Sequence, residues 1–295
     1  MSVRLQKLVA AVRDRAWART RPSIPALFYA NGGIGDELML TAIARAARLQ
    51  GKPFHVLTNL PELWRDNRDP LSVQSDVARW FYARTRGWIK TPITHLAYET
   101  TRHGRHIAQQ MADHVQVTLP PGWQPQVPAI KRGARVPGRV VLQNSCRGAR
   151  YACTTKEWSY QKWQELAGGL AGRELIQIGT PSDPVIQGAR DLRGRTSLYE
   201  AGELIATSAV FVGLESGLMH LAAAVGTPAV IVYGGRTLPT QTGYPFHHHV
   251  TRTPECAGCG LSDGCPYALK CLADISVAEV LERVQRVLQP SPATA

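Results

Sequence analysis

Asp36 closes the run Asn31-Gly32-Gly33-Ile34-Gly35-Asp36, after an apolar stretch Ala26-Leu27-Phe28-Tyr29-Ala30 and before a helix-like segment from Glu37 to about Gln50. A carboxylate at the C-terminal edge of a strand sits where α/β sheets place their ligands. There it can take a proton from a substrate hydroxyl; the same residue can instead cap the following helix. Gly33 and Gly35 let another group approach the backbone closely. The run is a poor nicotinamide fingerprint, since the third glycine would fall at Leu38. A second strand-to-helix junction is Leu214-Glu215-Ser216-Gly217-Leu218-Met219-His220, continuing to Pro228. Its backbone amides and the Ser216 hydroxyl suit a phosphate or sugar at a helix N-terminus. Glu215 can accept hydrogen bonds from sugar hydroxyls, and His220 is either a ligand contact or a buried structural imidazole. The third piece, Tyr233-Gly234-Gly235-Arg236-Thr237, is a glycine loop with a cation, suited to a pyrophosphate.

Four of the six cysteines fall in the pattern Cys256-x2-Cys259-x5-Cys265-x5-Cys271. In a chain without an export signal this reads as a structural tetrathiolate for zinc or iron, or as four reduced thiols. Cys146 and Cys153 are spaced too irregularly to join it. His247-His248-His249 cannot all face one site and read as loop residues titrating near neutral pH.

These residues need scaffolding. Apolar runs at 26–30, 54–58, 139–143, 175–179, 210–213 and 228–233 predict strands; helices are expected at 3–18, 37–50, 159–170, 197–206, 218–225 and 277–288. The segments Val73 to Tyr82, Thr94 to Tyr98 and His103 to His114 continue the first half. Alternating strands and helices imply parallel sheets in both halves. A turn-rich stretch from Pro120 to Pro137 divides them, so two Rossmann-like domains are expected, 1–132 and 133–295. The chain has 295 residues, 44% hydrophobic and 19% charged, which excludes a disordered protein. Its charge of +12 is unevenly placed. Residues 1–135 hold 20 Lys+Arg against 9 Asp+Glu, a net of +11; the remainder hold 14 against 13, a net of +1. The basic half includes residues 3–18, where Leu5, Leu8, Val9, Val12 and Trp17 lie among Arg4, Lys7, Arg13, Arg15 and Arg19. That is either an interfacial amphipathic helix or a surface helix docked on its own domain.

The three motifs, together with Lys156-Glu157-Trp158, Cys265-Pro266-Tyr267 and Ile275-Ser276, make the chain resemble glycosyltransferase family 9, the heptosyltransferase-like enzymes. The resemblance implies the GT-B fold, two Rossmann-like domains with parallel sheets facing a central cleft. It implies an inverting transfer of a heptose-like sugar from a nucleotide diphosphate donor to a glycan or lipopolysaccharide-type hydroxyl. By resemblance, Asp36 is the general base and Lys156 meets the donor phosphates. Ser216, Gly217, Leu218 and His220 hold the donor, with Gly234, Gly235 and Arg236 in the following loop. A ribose carboxylate is expected near Asp183. No catalytic metal is implied; iron at the cysteine segment is, from related enzymes that glycosylate autotransporters. Glu215 departs from the family's usual Asp, and Gly235-Arg236 from its usual Pro-Thr.

The donor is therefore expected to be ADP-heptose-like and the acceptor an anionic glycan. The expected location is cytoplasmic, on the inner face of a membrane, with peripheral contact to it. A catalytically silent sugar-nucleotide binder or scaffold is the alternative, and a nucleotide-sugar epimerase a further one. A zinc-knuckle nucleic-acid binder fits less well: residues 250–275 set Arg252 and Lys270 against Glu255, Asp263 and Asp274, where a nucleic-acid knuckle is basic. No nucleic acid is expected as a partner.

Overall fold

A computed structural model describes residues 3–21, 24–30, 32–99 and 104–289; Asn31, His103 and the side chain of Arg4 lie outside the described residues. The first half contains α1 (Val3–Arg19), β1 (Leu27–Tyr29), α2 (Ile34–Leu49), β2 (His55–Leu57), β3 (Ser72–Gln74), α3 (Val77–Thr85), β4 (Ile93–His95) and α4 (Ile107–Asp113). The second contains β5 (Val140–Leu142), α5 (Tyr160–Gly169), β6 (Leu175–Gln177), β7 (Arg190–Asp191), α6 (Leu198–Ala206), β8 (Val210–Leu214), α7 (Gly217–Val225) and β9 (Ala229–Val232). It closes with α8 (Pro239–Thr242), β10 (His248–Val250), α9 (Lys270–Ala273) and α10 (Val277–Leu288).

Every strand pairing is parallel, in two sheets ordered β3-β2-β1-β4 and β10-β9-β8-β5-β6-β7. The fold class is therefore α/β with two parallel sheets. Each order reverses direction once, between β1 and β4 and between β5 and β8. Such switch points open a crevice beyond the strands' carboxyl ends, where ligands bind. Helix starts follow ordinary capping chemistry. Ser159 and Ser276 accept from the amides of Lys162 and Glu279, and Ser197 with Glu200 forms a capping box.

One core cluster runs through both halves, joining Leu38 and Ile43 of α2 to Leu221 and Val225 of α7. The two helices start side by side, and glycine permits it. A Cβ on Gly35 would lie 2.7 Å from His220 Cδ2, and one on Gly217 would lie 2.8 Å from Ile34 Cβ. The His220 ring cannot step aside, because its Nδ1 shares a 2.7 Å hydrogen bond with the Tyr244 hydroxyl. Gly35→Ala is expected to destabilise the fold by about 1–3 kcal/mol through overpacking; a urea midpoint unchanged from wild type would show that α2 and α7 are not pressed together. From the connecting stretch, Arg132 and Arg135 donate to the carbonyls of Ala224 and Gly226 at 2.7 and 2.6 Å. They thereby satisfy the C-terminus of α7 and complement its dipole.

The histidine triplet corrects the sequence reading. His248–Val250 is the edge strand β10, paired with β9, and His247 is buried. Burial pushes His247 down to about 3 and His249 down to about 4, so neither titrates near neutral pH.

Candidate functional site

The two switch points face a single cavity of about 890 Å³. From the first sheet, Asp36 comes from the first turn of α2, just after β1, and Tyr98 from the segment after β4. The Tyr98 hydroxyl donates to Asp36 Oδ1 at 2.7 Å, closing the crevice between the two strands. Asp36 is the third residue of α2; Gly33 holds the N-cap position and no side chain caps the helix. The Asp36 carboxylate is thus free of a capping duty. Burial raises its pKa above the usual carboxylate value, the Tyr98 hydrogen bond opposes this, Glu215 adds to it and Lys156 opposes it. A buried base with a raised pKa is better matched to proton abstraction near neutral pH. Its neighbour Glu37 is fully buried, accepts from Trp64 Nε1 at 3.1 Å, and is pushed up to about 8, mainly by burial.

From the second sheet, β8 delivers Glu215 and Ser216 while the residues after β5 deliver Gln143 and Cys146. Ser216 starts α7 without capping it; its hydroxyl donates to Gln143 Oε1 at 2.6 Å across the switch point. Lys156 stands in a 3-10 turn, Thr154–Lys156, and forms a buried ion pair with Glu215. Thr237 donates to the same Glu215 oxygen at 3.1 Å. Burial alone would raise the Glu215 carboxyl, but Lys156 overrides it and the net shift is downward. Arg236 also lines the cavity, and its buried Nε has no hydrogen-bond partner among the described residues.

Of the residues singled out from the sequence, Gly33, Gly35, Asp36, Lys156 and Glu215 line this cavity. So do Ser216, Gly217, Leu218, His220 and Arg236. Three others do not. Asp183 is buried in the turn after β6, where its carboxylate accepts from the Thr180 amide at 2.7 Å and the Thr180 hydroxyl at 2.9 Å. Its oxygens hold that turn. Gly234 lies under the Lys156 turn, where a Cβ would come within 2.4 Å of the Thr155 carbonyl oxygen. Gly235 donates its amide to Cys271 Sγ at 3.1 Å.

The cysteine segment touches the site through its backbone. The amides of Gly258 and Cys259 donate to the Gly235 carbonyl, and the Gly260 amide to that of Arg236. The Thr155 hydroxyl donates to the Leu261 carbonyl at 2.5 Å. The segment therefore grips both the loop carrying Arg236 and the turn carrying Lys156. The spacing predicts a tetrathiolate, but among the described residues no three His, Cys, Asp or Glu side chains converge as a metal-binding group. Cys271 alone is buried; Cys256, Cys259 and Cys265 are half-buried. In this arrangement the four thiols are not gathered as a metal-binding group.

Sequence reasoning missed Tyr98 as a site residue; its one signal was its place at the end of the segment Thr94 to Tyr98. Tyr244 closes the stretch Thr240-Gln241-Thr242-Gly243-Tyr244, which reads in sequence as a continuation of the pyrophosphate loop; its place in an imidazole cluster was not legible, since that cluster is built from both halves. His106 at the start of α4 and Trp123 pack with Tyr244, His220 and His247. Burial pushes His106 down to about 4 and His220 down to about 3. These imidazoles stay neutral in the fold but protonate in the unfolded chain below about pH 6.5. Their contribution is complete above that value and lost as pH falls towards their folded values. Each fully buried ring should cost about 2 kcal/mol at pH 5. Urea midpoints measured from pH 7.5 to 5 should fall steadily; a flat profile would mean that the cluster carries a compensating acid.

Two parallel sheets of this order, with a cavity between their switch points, define a GT-B-like fold. Within that class, residues 144–259 match the family model of Glycosyltransferase family 9 (heptosyltransferase). The chain is 34% identical over 114 residues to lipooligosaccharide heptosyltransferase 2 of Haemophilus influenzae, covering 34% of this chain and 32% of that protein. It is 29% identical over 171 residues to lipopolysaccharide heptosyltransferase 2 of Escherichia coli, covering 48% and 45%. The matches thus span between about a third and a half of these curated relatives. Among solved structures, the iron-containing dodecameric glycosyltransferase TibC of enterotoxigenic E. coli superposes with a TM-score of 0.70 at 19% identity, over 90% of this chain and 76% of that one. The E. coli ADP-heptose LPS heptosyltransferase II gives 0.64 at 17% identity, over 90% and 98%. These likenesses establish the fold. Among the described residues, no helix is long and apolar enough to cross a membrane.

Proposed function

We propose that the protein is an inverting glycosyltransferase that moves a heptose-like sugar from a nucleotide diphosphate donor to a hydroxyl of an anionic glycan. The observation that carries this reading is the cavity itself. It is lined by a buried carboxylate, Asp36, and by a largely shielded cation, Lys156, with α2 and α7 both opening on it. In the reaction, Asp36 takes the proton of the acceptor hydroxyl while that oxygen attacks the anomeric carbon. The bond to the donor phosphate breaks on the opposite face, and its electron pair leaves with the nucleotide diphosphate. Lys156, Arg236 and the amides at the start of α7 offset the charge that develops there. Glu215 keeps Lys156 in place and presents an acceptor to sugar hydroxyls. An ADP-heptose donor and a lipopolysaccharide-type acceptor are the leading substrates by likeness to the relatives above.

The test is nucleotide release from a panel of nucleotide sugars, ADP-heptose first, with and without a phosphorylated glycan acceptor. Acceptor-dependent release supports the proposal. Donor binding without release under every pairing would make the protein a silent binder, and donor conversion without acceptor would make it an epimerase.

A further inference from the structure

We propose that the outer face of α1, with the edge of α3 beside it, docks on an anionic lipid bilayer; this deepens the reading of an enzyme with a membrane-borne acceptor. Helix α1 has two apolar stripes. The inner one holds it to α3: Trp17 meets Trp80 edge-on at 5.6 Å between ring centroids, and Ala18 is buried. Asp14, the one acid in the helix, turns to the same side and pairs with Arg79 at 3.3 Å. At 3.6 residues per turn, Leu8, Val9 and Val12 fall on the opposite side. They are 62%, 52% and 63% exposed. The helix therefore needs none of them to stay folded on its domain.

Cations edge this outer stripe. Arg15 and Arg19 share its side of the helix and Arg13 stands at its border, 3.6 Å from Asp14; all three are exposed, as is Lys7 on the groove side. Beside Leu8 a shallow groove between α1 and α3 brings in Tyr82 and Arg86, the guanidinium lying 5.3 Å over the Tyr82 ring. An apolar strip edged by arginine and an amphipathic aromatic suits a bilayer whose headgroups are negative. A second copy of the chain meeting this face two-fold would bring two sets of Arg13, Arg15 and Arg19 into one interface, while the one acid of the helix, Asp14, is already near Arg79 and Arg13. A neutral apolar partner would leave the arginines without counter-charge. The anionic bilayer satisfies both the stripe and its rim.

The full-length protein is sedimented with vesicles of phosphatidylethanolamine and phosphatidylglycerol, and with vesicles of phosphatidylcholine alone. Partitioning to the anionic vesicles should be at least about tenfold stronger, and should fall about tenfold between low and high salt. Leu8→Gln with Val12→Gln should weaken it about tenfold or more. Arg15→Gln with Arg19→Gln should weaken it about tenfold on anionic vesicles only. Because these side chains are exposed, thermal midpoints should match wild type in both variants. Equal partitioning to both vesicle types, or variants that bind as well as wild type, would overturn the proposal. So would variants that dissolve an oligomer while vesicle binding is lacking throughout, which would make the face a self-association surface. Nucleotide release in lipid-free solution is read separately. Vesicle binding without release fails the transferase reading alone, and release without vesicle binding fails this proposal alone.

Discussion

Asp36→Asn is expected to lower acceptor-dependent turnover by about 10²- to 10⁴-fold, the range that a positioned general base contributes. Asparagine keeps the size and can still accept the Tyr98 hydrogen bond that Asp36 Oδ1 now receives at 2.7 Å. What it cannot do is take a proton. Donor affinity should therefore stay within about threefold of wild type, because the donor cations lie on the other sheet. The pH profile carries the same argument. Burial holds the Asp36 pKa above its usual value, so turnover should rise with pH through that raised pKa. Tyr98→Phe removes a donor that favours the carboxylate, and should move the acid limb to still higher pH while leaving turnover at its plateau nearly intact. Measuring kcat against pH for both variants separates the base from its positioning partner. Asp36→Asn with full activity on a verified acceptor would remove Asp36 from the mechanism.

The strand-loop-helix units were legible because each element is announced locally. Several of the apolar runs end in glycine turns, as before α2 and after β9, and other helices begin at Ser159, Ser197 and Ser276, whose side chains cap them. What was not legible depends on partners distant in sequence. Strand β10 is polar, His-His-Val, and becomes a strand because β9 presents it with a free edge. The carboxylate of Asp183 reads in sequence as a ribose contact; only the fold shows Thr180 occupying it. Gly35 suggested room for a ligand, yet its missing Cβ also admits the His220 ring, 185 residues away in the chain. The cysteine spacing suggested a metal. The same segment ties the Lys156 turn to the Arg236 loop, through its amides and carbonyls and through Cys271 Sγ. A motif specifies a residue type at a place, whereas the role follows from what the opposite element brings to it.

The second large effect should come from the Lys156–Glu215 pair. Both side chains are nearly buried, 16% and 8% exposed, so neither charge is well solvated without the other. Lys156→Met should destabilise the protein by about 3–5 kcal/mol at neutral pH, because it strands a carboxylate in a desolvated site. In wild type Lys156 holds the Glu215 pKa down, so Glu215 contributes stability above its unfolded value, near 4.5, and loses it as pH falls through the lower folded one. Without Lys156 the sign reverses: burial then raises the folded pKa, and the deficit of the variant should shrink as pH falls and Glu215 takes up a proton. Lys156→Met combined with Glu215→Gln should recover most of the stability, since no charge is left unpaired. It should not recover catalysis, because the cation facing the departing diphosphate is gone; a loss of about 10²–10³ in kcat is expected for removing such a stabilising group. Urea midpoints and turnover for the two single variants and the double complete the cycle. A stability loss below about 1 kcal/mol for Lys156→Met would place the pair in the solvent-screened class. Recovery of turnover in the double variant would show that Lys156 serves Glu215 and not the donor.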